Sequence, residues 1–102
     1  VTPRLGEPFD QARAAAVLRH IGANVRALRL RRGLTQERLA EIADLDLRFV
    51  QRIERGATNL GIVVLVALAD ALGVEAARLL RKAPLAPTRL GRPRRENRPR
   101  PR

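Results

Sequence analysis

Cysteine, methionine, tryptophan, tyrosine and serine are all missing from these 102 residues, and histidine occurs once. Nucleophilic and metal-assisted chemistry draws on those side chains, so an enzyme is the poorest expectation. Without cysteine there can be no disulfide and no thiolate metal site, which fits a reducing compartment. The single His20 has no second ligand near it in sequence and reads as a surface residue; neither a metal nor a cofactor is expected. No apolar run approaches the roughly 18 residues of a membrane span, and the first residues lack the charged-then-apolar layout of a signal peptide. The expectation is a soluble cytoplasmic protein with no membrane partner.

What the chain does have is positive charge. The net charge is +11, and 20 of the 21 basic residues are arginine. Such a balance favours a polyanionic partner, most often nucleic acid. Residues 81–102 hold nine basic side chains against Glu96 alone, which leaves only +3 on residues 1–80. Arginine is the better bidentate partner for phosphate and guanine, but a chain this rich in Arg, Ala and Leu also fits GC-rich coding.

The length suits one small domain with tails. Residues 1–9 contain two prolines and a glycine without any period and read as a flexible N-terminal arm, with Phe9 a candidate staple against the core. Asp10 is a candidate N-cap for a first helix whose Val17, Ile21, Val25 and Leu28 line one face. Gly22 inside it costs about 1 kcal/mol relative to alanine and raises the expectation of a kink or restart. Gly33 ends that helix. Gly61 to Leu72 reads as a helix by its Ile62, Leu65, Leu68, Ala69, Leu72 stripe, with a buried strand as the alternative. Gly73 ends it, and Val74 to Leu80 should form a last helix that closes the core with Val74, Leu79 and Leu80. Residues 83–102 carry five prolines and no apolar period, so they should form a disordered Arg/Pro-rich tail. The fold class is all-α: five helices over residues 10–82.

The centre of this arrangement is Thr35 to Gly56. Residues 35–43 place Leu39 and Ile42 on one apolar side with Ala40 beside them, and residues 47–55 do the same with Val50 and Ile53. Only Asp44, Leu45 and Asp46 lie between. Helices joined by so short a turn cross steeply, which leaves an edge of the second exposed. That edge carries Leu47, Arg48, Phe49, Gln51, Arg52 and Arg55.

Through LRRGLTQERLA at 30–40, VQRIERG at 50–56 and LADALGV at 68–74, the chain resembles the lambda-repressor and Cro-like helix-turn-helix family, also called the xenobiotic-response-element type. The resemblance implies a compact DNA-binding domain whose recognition helix, capped by Asp46, enters the major groove. It places Leu47, Arg48, Phe49 and Arg52 against bases. Arg48 and Arg52, at i and i+4, suit guanine O6 and N7, and Leu47 and Phe49 suit thymine methyl groups. Gln36, Gln51 and Arg55 are the phosphate candidates. It further implies a structural ion pair of Arg29 with Glu54. Asp44 departs from the pattern, because the family usually has a left-handed glycine at that turn.

The helix at 61–72 is apolar almost all round. Such a helix must be covered, so Val63, Val64, Val66 and Ala67 are expected to form a partner surface, most simply for a homodimer that spaces two recognition helices one DNA turn apart. The leading function is a bacterial or phage regulator, cytoplasmic and nucleoid-associated, that binds specific double-stranded DNA and represses transcription. Two alternatives stand beside it. One is a protein-interaction module such as an antitoxin with autoregulatory DNA binding. The other is a sequence-indifferent nucleic-acid binder.

Overall fold

In the computed structural model, which describes residues 4–85, Asp10 opens the first helix by accepting a hydrogen bond from the Ala12 N–H at 3.0 Å. Helix α1 then runs without a break over Gln11–Arg31. Gly22 does not interrupt it. A side chain at Gly22 would meet the backbone carbonyl oxygens of Ile53 and Glu54, the latter 2.7 Å from an ideal Cβ. The glycine is therefore a packing requirement: it lets the end of a later helix press directly on α1.

Helix α2 spans Gln36–Ala43 and α3 spans Leu47–Glu54. Thr35 caps α2 through its hydroxyl, which accepts from the Arg38 N–H at 3.0 Å. Asp44 closes it in the left-handed region, at φ 58° and ψ 49°, the only non-glycine with positive φ among the described residues. Helix α4 follows at Ile62–Leu72 and α5 at Ala76–Leu79. The segment at 61–72 is thus helical, not a strand, with Gly61 as its N-cap.

The core is built from Ile21, Val25 and Leu28 of α1, Leu39, Ala40 and Ala43 of α2, Val50 and Ile53 of α3, Leu65, Leu68, Ala69 and Leu72 of α4, and Leu79 of α5. Several residues expected inside lie outside. Phe9 is exposed and staples nothing in the core, and Val17, Ile42, Ile62 and Leu80 are also exposed. Leu80 is the C-cap of a last helix shorter than expected, and Val74 precedes that helix and is half-buried.

Val17 lines an open groove with Ile62 and Leu65 of α4 and with Leu80, so it sits at the edge of the core and not inside it. Ile42 fails for a different reason. The buried arc of α2 runs from Leu39 toward Ala40 and Ala43, and Ile42 lies on the other side of Leu39.

Two polar residues of α1 hold the end of the described chain, and the sequence reading missed both. The Asn24 amide nitrogen, itself buried, donates to the carbonyls of Leu79 at 3.0 Å and Arg81 at 2.7 Å. One turn earlier, His20 Nδ1 accepts from the Ala83 N–H at 2.9 Å, so His20 is a latch and not a free surface residue. Ala83 is buried, and residue 83, read as the start of the tail, is packed. The expectation of disorder from residue 86 onward lies outside the described residues. Asn24→Ala should cost about 1–3 kcal/mol, because it leaves two carbonyls at the end of α5 without their donor. Thermal unfolding of the variant checks this.

Candidate nucleic-acid interface

Asp46 starts α3 by accepting from the Arg48 N–H at 3.0 Å. From there the sequence divides the helix into two faces. Val50 and Ile53, three apart, are buried against α1 and α2, while Arg48, Arg52 and Arg55 are exposed. Leu47 and Phe49 stand between the faces, half-buried and packed against the core rim. The Arg52 guanidinium carbon sits 5.7 Å from the centroid of the Phe49 ring, a cation–π contact that covers one side of the ring and restrains the arginine. Gln51 is half-buried as well. The freest polar groups on this element are thus Arg48 and Arg52 of α3 and Arg55 at its C-cap.

A buried charge network fixes the far end of α3. Arg29 Nε donates to Glu54 Oε2 at 2.6 Å and Arg29 Nη2 donates to Glu54 Oε1 at 3.0 Å, a bidentate pair with both side chains almost wholly buried. Arg29 Nη1 donates to the Leu34 carbonyl at 2.9 Å. The hydrogen bond to Glu54 raises the Arg29 pKa above its ordinary value, against the lowering effect of burial. One guanidinium therefore ties the end of α1, the approach to α2 and the last turn of α3 together.

Gln36 belongs to the same network. Its side-chain amide nitrogen donates to Glu54 Oε1 at 3.0 Å, so this amide, read from the sequence as a phosphate ligand, is turned inward in the structure. One N–H and the amide oxygen remain for other partners. The exposed apolar face of α4 also differs from the outline expected from the sequence. Val63 and Val66 are exposed and Ile62 joins them, whereas Val64 and Ala67 are half-buried against the protein's own core. No signal in the sequence separates these positions, because all are apolar.

Among the described residues no helix is long and apolar enough to cross a membrane, and no three His, Asp or Glu side chains gather where a metal ion could be held.

Comparison with known proteins agrees with this geometry. The helix-turn-helix family model matches residues 25–79, from the middle of α1 to the end of α5. The chain belongs to the helix-turn-helix family. This helix-turn-helix protein is 37% identical over 54 residues to the uncharacterized HTH-type transcriptional regulator y4dJ of Sinorhizobium fredii, a match covering 53% of this chain and 70% of that protein. Among solved structures it resembles the restriction-modification controller protein C.AhdI of Aeromonas hydrophila, with 40% identity, a TM-score of 0.59, and coverage of 61% of this chain and 94% of the other. It also resembles the hypothetical transcription factor NHTF from Neisseria, with 30% identity, a TM-score of 0.65, and coverage of 78% and 91%. The protein is a DNA-binding transcriptional regulator of the lambda-repressor-like type, and its family is one of regulators, not enzymes.

Proposed function

We propose that the protein binds specific double-stranded DNA sites as a homodimer, with α3 in the major groove, and acts as a repressor. One observation carries this reading: α3 offers Arg48 and Arg52 on its exposed edge while Val50, Ile53 and Glu54 lock its other side into the core. A helix held so firmly presents its arginines in one orientation, which base recognition needs and simple charge attraction does not. Arg48 is the leading base-contacting residue. Arg52, braced on Phe49, serves base or phosphate, with the apolar edges of Leu47 and Phe49 beside thymine methyls. Arg55, Gln51 and the free amide groups of Gln36 contact phosphate, and affinity falls with salt by a slope of about −0.9 per phosphate.

Dimerisation in this reading uses the exposed outer face of α4, Ile62, Val63 and Val66. In a dimer, two copies of α3 lie about 34–36 Å apart, one turn of DNA. Val63→Glu with Val66→Glu places charges on that face without touching the core. Sedimentation equilibrium should show a dimer falling to a monomer, and footprinting should show paired half-site protection lost. An unchanged mass would contradict the dimer surface. The same apolar face also suits a protein-interaction module such as an antitoxin, in which case the mass falls only when a different co-purifying protein is removed.

A further inference from the structure

An open groove of 760 Å³ runs along the ends of α1, α2 and α4 and reaches Arg78 of α5. No residue of α3 lines it, and the main neighbours of α3 are α1 and α2. Its floor is apolar, with Leu34, Ile42 and Val74, and its rim carries Arg31, Arg32 and Arg78 with no carboxylate. Ile42 is 44% exposed there. Among the described residues the ion pairs are Arg4–Glu7, Arg29–Glu54 and Arg38–Glu41, so none neutralises the rim. The Arg32 guanidinium lies beside Gly73, at the negative end of α4.

From this juxtaposition we infer a docking site for an acidic, leucine-bearing helical segment of another protein. Charge complementarity selects the occupant. Three arginines around apolar side chains suit carboxylates flanking a leucine, the pattern of an amphipathic helix in a groove. Residues 86–102 of this chain are excluded as occupant because they carry seven arginines against Glu96 and repel the rim. A second copy is disfavoured as well, since a contact between this groove and the different α4 face would be head-to-tail and would not close. The regulator thus has a place, away from α3, to hold a partner while bound to DNA. The inference does not rest on the DNA reading.

The test uses the full chain and a fluorescein-labelled synthetic helical peptide with Leu and Glu repeating at i, i+3 and i+4. Anisotropy should report binding that Arg31→Ala with Arg78→Ala weakens about tenfold or more, and that Ile42→Gln also weakens. Circular dichroism checks that both variants fold; Arg31 and Ile42 are exposed and Arg78 is half-buried. Amide chemical shifts should move around Ile42 and Val74 and stay still in α3. The proposal is overturned if a peptide with Gln in place of Glu binds equally well, or if the double variant leaves binding unchanged. It is also overturned if the shifts map to α3, which would make the peptide a DNA mimic, if random duplex DNA displaces it from the groove, or if the protein's mass doubles by groove contact alone.

Discussion

Glu54→Ala should cost about 3–5 kcal/mol, a large share of the roughly 5–15 kcal/mol that holds a small domain folded. The glutamate side chain is 3% exposed and that of its partner Arg29 is 9% exposed. Removing the carboxylate strands a guanidinium that cannot shed its proton and cannot reach water. It also frees the Gln36 amide and loosens the last turn of α3, so DNA affinity should fall along with stability. Arg29→Ala strands the glutamate and should cost a similar amount. The double replacement Arg29→Met with Glu54→Leu should lose less than either single change, because an apolar pair in the same space removes both desolvation costs together. Urea denaturation of the three variants measures this, and simple additivity would contradict it.

Gly22→Ala should destabilise the protein, although the same change in an isolated helix gains about 1 kcal/mol. An ideal Cβ at Gly22 lies 2.7 Å from the Glu54 carbonyl oxygen and meets that of Ile53 as well. Neither atom belongs to a flexible side chain, so the whole end of α3 must move away from α1. A loss of about 3 kcal/mol is expected, the upper part of the range for overpacked cores. Because the displaced element is the one that meets DNA, affinity should fall even at temperatures where the variant remains folded. Urea midpoints together with duplex-binding anisotropy check both effects, and a gain in stability would show that α3 does not press on α1.

These two expectations show where the sequence is legible and where it is not. The five helices and the caps at Asp10, Thr35 and Asp46 depend on neighbours within a few residues, so local chemistry reveals them, whereas the left-handed turn at Asp44 is indicated only by the family resemblance. Gly22 reads locally as a weakness. Its reason lies 31 residues away, in a carbonyl of Ile53 that no periodicity points to. Asn24 and His20 are alike in this respect, since their partners at Leu79, Arg81 and Ala83 become neighbours only after the chain folds. The clue available was an Asn between apolar Ile21 and Val25, on the face that must be buried.

The site divides in the same way. Arg48, Arg52 and Arg55 emerge exposed because Val50 and Ile53 set the opposite face, a relation that helical spacing encodes. The inward turn of Gln36 toward Glu54 and the division of α4 into covered Val64 and exposed Val63 depend on three-dimensional packing. An apolar run cannot say which of its sides faces its own chain.

Selection of bound sequences from random duplex DNA, with the full chain and with Arg48→Ala, tests the central claim most directly. The account predicts that the full chain enriches a two-fold-symmetric motif. Arg48→Ala should then relax one position in each half-site, at about 1–3 kcal/mol per contact, and leave the rest of the motif intact. Enrichment of no motif, or a uniform loss of affinity across all sequences in the variant, would contradict it.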